Sequence, residues 1–331
     1  MKIAMCCVVL AAAVPLATPA LAFDCGRAQT KVEKAICADP KLKAVDDQLN
    51  AAYDKLVLAG DSGTKAALQI SQVRWIRSRE NCAMLSDAEM PSCIRESTNS
   101  RHAVLTARPQ SGPGDGSDLT PWFVQKDGKK GDWDIGLDLV RFAQPQTDGE
   151  QLFNRDVEAL AAPSLLENST LGTATEKVPK DRIFALSVTL TPTFASKHMI
   201  SALAQGFEDR GGAHPNTWSR AINIALDGGR RLAFGDLFPR ESIGLFAKLC
   251  SDQLIAERRD GTGDPKINLE EGADEVIVAH IKNLDTWYFR DSKAVILFDP
   301  YQIGSYAEGA YGCELEMPVL KAHAVAGAVL P

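Results

Sequence analysis

The residues best able to do chemistry are scattered. The five histidines are His102, His198, His214, His280 and His323, and none is spaced as a local metal pair. No G-x-S-x-G, H-E-x-x-H or phosphate-loop string occurs, so there is no sign of a nucleophile elbow, a zinc helix or a nucleotide cradle. His214 stands out by its setting, Gly211-Gly212-Ala213-His214-Pro215-Asn216, where two glycines permit unusual backbone angles. Two readings fit: a tight turn whose His and Asn cap backbone groups, or a surface loop in which His214 and Asn216 meet a ligand. An enzymatic variant would pair His214 with an acid such as Asp209. Tyr301, Tyr306 and Tyr311 lie in the string DPYQIGSYAEGAYG, which suits either a recognition surface or packing at a domain edge. Arg74, Arg77 and Arg79 read as a solvated basic face, with a site for phosphate or wall sugar acids as the alternative. Asp127, Asp132, Asp134 and Asp138 match no EF-hand spacing and read as a solvated acidic face. The expectation is a chain with no catalytic residues, no cofactor and no metal.

These loops sit in an ordinary globular frame. The chain has 331 residues, 45% hydrophobic and 24% charged, which suffices for about two domains. A net charge of −7 argues against general nucleic-acid binding, which needs a basic face. The only long apolar run is at the start, so no later segment is expected to span a membrane. Residues 1–22 have the form of a signal peptide: Lys2, an apolar stretch from Met5 to Leu16, and the cleavage string Ala20-Leu21-Ala22. A mature chain starting at Phe23, periplasmic or secreted, follows. Six cysteines remain in it: Cys25, Cys37, Cys82, Cys93, Cys250 and Cys313. An even count in an exported chain predicts disulfides, economically paired within each domain.

Periodicity divides the chain. Residues 23–106 read as a small all-α domain. Thr30 and Glu33 form a capping box, Asp39 and Pro40 start a second helix, and Gly60 ends it. A third helix is expected from about Thr64 to Leu85, and Pro91 opens a fourth. Residues 107–119, ARPQSGPGDGSDL, have linker composition. Residues 120–331 alternate with period two at Ile135, Leu137 and Leu139, at Phe184 to Leu190, and at Ile222 to Leu226. Helical patterns lie between the later strands, at 240–258 and 270–283. A larger α+β domain with a mostly antiparallel sheet is expected. Residues 23–108 have a net charge of about +2 and residues 109–331 about −10.

The helical piece resembles the LprI-type lysozyme inhibitors through Phe23-Asp24-Cys25, Thr30, Glu33, Ile36-Cys37, Leu42, Asp46, Tyr53, Gln72, Trp75, Arg79, Cys82, Cys93, Arg101 and Leu105. The second piece is similar to the extracytoplasmic domain of RsiV-type anti-sigma factors, which sense lysozyme. The matching strings are Gly211 to Asn216, Asn223, Asp227-Gly228-Gly229, Leu232, Asp236-Leu237-Phe238, Phe298 to Ile303, and Tyr306 to Gly309. The two resemblances imply a soluble exported lysozyme-binding protein, a steric inhibitor rather than an enzyme. His214, Asn216, Tyr301 and Tyr306 are its candidate binding residues. A peptidoglycan-binding module, with Tyr301, Tyr306 and Trp218 stacked on sugars, is the alternative. The expected disulfides are Cys25–Cys37, Cys82–Cys93 and Cys250–Cys313. Cys25–Cys82 or Cys37–Cys93 would also tie the helices together.

Overall fold

The computed structural model describes residues 24–113, 118–127, 133–161, 184–210, 212–263 and 266–331. The expected signal peptide lies outside them. Among the described residues no helix is long and apolar enough to cross a membrane.

Four helices form the first part. The capping box at Thr30 and Glu33 starts α1 (Lys31–Ala38). Asp39 caps α2 (Pro40–Ala59), with Pro40 at its first position. Asp61 caps α3 (Ser62–Arg79), and α4 (Met90–Thr106) follows. The third helix ends earlier than its pattern implied, because Glu80–Met84 tightens into a 3₁₀ turn. Two small cores result. Val32, Ile36, Leu42, Met90 and Ile94 pack around Cys82, and Leu49, Leu68 and Leu105 pack beside Tyr53 and Trp75. Disulfides Cys25–Cys37 and Cys82–Cys93 staple this part.

The α+β part is built on two sheets. The larger runs in order β1 (Leu119–Asp127), β2 (Trp133–Phe142), β3 (Phe184–Ala195), β4 (Met199–Asp209), β5 (Asn216–Ala225) and β6 (Arg230–Arg231). Among the described strands only β2 and β3 pair in parallel, and α5 (Asp148–Leu160) lies in the crossover between them. A short α6 (Phe234–Leu237) leads to α7 (Ser242–Thr262) and α8 (Ala273–Lys282). The second sheet is β7 (Trp287–Phe289), β8 (Lys293–Phe298) and β9 (Tyr311–Glu316), followed by α9 (Met317–Ala322). Trp287, Phe238, Phe246 and Phe289 are fully buried in the core of this second layer. Two polar side chains pin the sheets together. Asn223 Nδ2 donates to Leu284 O and Trp287 O at 2.8 and 2.7 Å, and Phe289 N donates to Ser201 Oγ at 3.0 Å.

Disulfide Cys250–Cys313 joins α7 to β9. Non-reducing peptide mapping is expected to return the three observed pairs and neither helical alternative. Replacing Cys250 and Cys313 together with serine is expected to cost about 2–4 kcal/mol, measured by urea unfolding.

The sequence reading needs correction in three places. Of Arg74, Arg77 and Arg79, Arg77 alone keeps the exposed position expected of a solvated face. Arg79 is buried, with its NH1 group 2.6 Å from Asp46 Oδ1 and its guanidinium 4.4 Å from the Trp75 ring centre. Arg74 lies flat on the sheet over Gly136, in space a Cβ there would take. Nor is Asp138 on a solvated acidic face, because it is buried against Arg101 of α4. Finally, the described part of the linker-like stretch is docked. Gln110 N donates to Pro192 O at 3.0 Å, and Ser111 bridges to Phe194 beside β3. Ala195 N donates to Ser111 O at 3.4 Å, and Gly112 N donates to Asp291 Oδ2 at 3.0 Å.

Candidate functional site

The histidine loop and the tyrosine loop meet at one end of the α+β part. His214 enters from the turn before β5. Tyr301 and Tyr306 enter from the connection between β8 and β9. The His214 ring stacks on Tyr306, with centres 3.6 Å apart and planes 20° from parallel. His214 Nε2 lies 3.0 Å from the Tyr301 hydroxyl, and its Nδ1 lies 3.0 Å from Pro215 O. The Tyr306 hydroxyl donates to the same Pro215 carbonyl at 2.8 Å. Tyr301 is 66% exposed, and its φ of +73° is a backbone conformation that side chains other than glycine rarely adopt. Strain of this kind persists only where surrounding contacts impose it, and it concentrates at binding surfaces.

Those contacts are visible on both sides of Tyr301. Asp299 Oδ2 accepts from Ser219 N at 3.0 Å, which ties the loop to β5. Gln302 Oε1 accepts from Asp299 N at 2.7 Å and lies 3.0 Å from His280 Nε2 on α8. Beyond Tyr306, Glu308 is clamped. Arg258 of α7 donates to both its carboxylate oxygens, at 2.8 and 3.3 Å, and Ser305 N and the Tyr311 hydroxyl donate at 2.8 and 2.7 Å. The Arg258 guanidinium and these further donors hold the Glu308 carboxyl at about 2, far below its ordinary value. Burial, then the adjacent carboxylate, pushes the Tyr311 hydroxyl up to about 12. Gly304 fits here because a Cβ would meet Glu308 Oε2 at 2.7 Å.

The structure therefore gathers His214, Tyr301 and Tyr306 into one aromatic knob on a braced loop, with Tyr301 exposed and the other two half-buried. It does not gather Asn216, which is exposed at the first position of β5 opposite Glu208. Among the described residues no hydrogen bond links the Asn216 side chain to the knob. Trp218 is not a third stacking ring either. It lies across Gly206 and packs on the core of the larger sheet. Tyr311 is buried. Arg258 and Glu308 were missed as the brace. The Ser305-x-x-Glu308 spacing carried half of that signal, while Arg258 lies 50 residues away and has no local signature. Among the described residues no cluster could hold a metal ion. The knob comprises two phenols and one imidazole, with the imidazole stacked on one phenol and its Nε2 at hydrogen-bond distance from the other.

Two family models divide the chain. Residues 24–105 match "Lysozyme inhibitor LprI", and residues 235–317 match "Protein of unknown function (DUF3298)". The helical part is thus similar to the LprI lysozyme inhibitor family. The second match takes in the Tyr301–Glu308 loop but not His214. Two solved DUF3298 structures show a distant likeness. One, from Bacteroides fragilis, is 12% identical with a TM-score of 0.45, covering 63% of this chain and 93% of that one. The other, from Pseudomonas aeruginosa, is 14% identical with a TM-score of 0.45, covering 66% of this chain and 98% of that one. No curated protein matches the chain.

Proposed function

We propose that this is an exported lysozyme-binding protein, mature from Phe23, that inhibits by steric occlusion and performs no chemistry of its own. The match of residues 24–105 to the LprI lysozyme inhibitor model carries the reading. The charge of the remainder supports it. About −10 on residues 109–331 would steer a basic enzyme toward the chain, and salt would weaken that attraction. The His214–Tyr301–Tyr306 knob is the proposed contact of the α+β part, since exposed aromatics on a rigid loop supply contact area at low entropic cost. Occlusion asks only that a protruding element fill the lysozyme cleft and cover its carboxylates.

The test is binding of the mature chain to c-, g- and i-type lysozymes at two salt concentrations, with a wall-lysis assay alongside. Saturable binding that blocks lysis is expected for at least one type, with association slowed at the higher salt. Tyr301→Ala is expected to weaken that complex about 30-fold, the scale of a hot-spot aromatic. Absence of binding to all three types at both salts would overturn the proposal. The exposed Tyr301 ring favours one second reading, a peptidoglycan-binding role in which Tyr301 and the half-buried Tyr306 meet sugars. Retention on purified peptidoglycan at high salt, without lysozyme binding, would select it.

A further inference from the structure

A groove of about 640 Å³ runs between the outer face of α3 and the ends of β2, β3 and β4, and the proposed function makes no use of it. Its size is that of a small-molecule site, roughly 300–1,000 Å³. Most of its exposed lining is apolar, with Gln69, Ser78, Asn81 and Ser187 interspersed. Ile70 and Val73 of α3 are 43% and 48% exposed, and Phe207 of β4 is 37% exposed. Aliphatic side chains one helical turn apart, facing an aromatic ring across a cleft, leave apolar surface uncovered that a ligand would bury.

The charge in the groove selects the ligand. Two guanidiniums, Arg74 and Arg77, line it against a single carboxylate, Asp134. Arg74 is fixed over Gly136 and donates to Gln125 Oε1 at 2.7 Å, and Gln125 Nε2 in turn donates to Asp134. Asp134 is therefore engaged from within. Arg77 is exposed and, among the described residues, has no acidic partner. A sugar acid or inorganic phosphate would meet the arginines and leave the apolar walls bare. A basic protein surface would be repelled.

We propose that this groove binds a fatty acyl carboxylate, its chain along Ile70, Val73 and Phe207 and its head group at Arg77. The site is separate from the aromatic knob and does not depend on the lysozyme reading. Titration of the mature chain with cis-parinaric acid, a fluorescent fatty acid, tests it. Competitors are laurate, dodecanol and dodecyltrimethylammonium, each below its micelle concentration. A saturable signal is expected, with laurate displacing the probe at least tenfold better than dodecanol and the cation failing to displace it. Arg77→Glu and Val73→Asp each alter an exposed helix position, so folding should survive, as circular dichroism will verify. Each is expected to weaken binding at least tenfold. Arg95→Glu, an equal charge reversal on the exposed side of α4, should leave binding unchanged. The proposal fails if no saturable signal appears, if the cation competes as well as laurate, or if folded Arg77→Glu and Val73→Asp proteins bind like wild type.

Discussion

Asp138→Ala is expected to destabilise the protein by about 3–5 kcal/mol, the cost of leaving one partner of a buried ion pair alone. The pair joins the helical part to the sheet. Arg101 NH1 donates to Asp138 Oδ2 at 2.9 Å, with both side chains under 10% exposed. Ser71 Oγ donates to the same carboxylate oxygen at 2.8 Å, and the remaining nitrogens of Arg101 reach Ser71 Oγ and Gln72 Oε1. Phe123 of β1 closes the site, its ring centre 5.7 Å from the guanidinium. Burial weakens the hold of Arg101 on its proton, and Asp138 is the largest influence opposing that. Removing the carboxylate strands a desolvated cation at the contact between the two parts. Urea unfolding followed by tryptophan fluorescence measures the loss. Arg101→Met with Asp138→Leu should recover most of it, since an apolar pair of similar size commonly replaces a buried ion pair without penalty. A loss below about 1 kcal/mol for Asp138→Ala would mean that water reaches the pair. Wild type should unfold in one transition. In Asp138→Ala the helical part should melt first, because its own cores are small and this network holds it to the sheet.

That network also shows where sequence reading stops. Local signals were legible: the Thr30–Glu33 capping box, Asp39-Pro40, the strand alternation at Ile135 to Leu139, and the cysteines of each part. Each depends on neighbours within a few residues. The α5 helix was legible but unread. Thr147 and Glu150 form its capping box, and Phe153, Val157 and Leu160 make its buried stripe. Arg79, Arg101 and Asp138 were different. Charged residues on a helix or strand are usually solvated, but the packing of α3 on α2 buries Arg79, and the meeting of α4 with β2 buries Arg101 and Asp138. The same limit applied to the site. His214 was flagged by its flanking glycines and the tyrosines by their clustering, yet 87 residues separate His214 from Tyr301. Nothing local announced that the two loops would stack, or that Trp218 would turn to the opposite face of the sheet.

The brace behind the knob should respond to acid, in a direction set by the depressed carboxyl of Glu308. At neutral pH, Glu308→Gln is expected to cost about 2–3 kcal/mol, because Arg258 loses its charged partner. The Arg258 side chain is only 5% exposed, but it keeps Asn268 O at 2.6 Å and Glu270 at 3.6 Å, so the loss falls short of a wholly stranded cation. In the folded wild type, Glu308 gives up its proton at about 2 instead of its ordinary 4.5. Between those values the unfolded chain binds more protons than the folded one, so stability falls as pH falls. The contribution is complete above about pH 5 and is lost progressively from 4.5 down toward 2. The glutamine variant has no such proton to take up. Its deficit against wild type should be full at pH 7, smaller at pH 3.5 and nearly gone at pH 2. A deficit constant across that range would show that the clamp is not ionic. The loop supplies a second readout. Tyr301, with its left-handed backbone angle, lies in the 299–309 segment, which is tied at Asp299 and at Glu308. Chymotrypsin should therefore cut after Tyr301 or Tyr306 faster in Glu308→Gln than in wild type at neutral pH. Wild type brought to pH 3 should show a looser loop before global unfolding, seen as faster amide exchange confined to that segment. The aromatic knob would then be held more loosely in acid than at neutral pH, governed by a carboxylate that bonds to Arg258, Ser305 and Tyr311 and to none of the three rings.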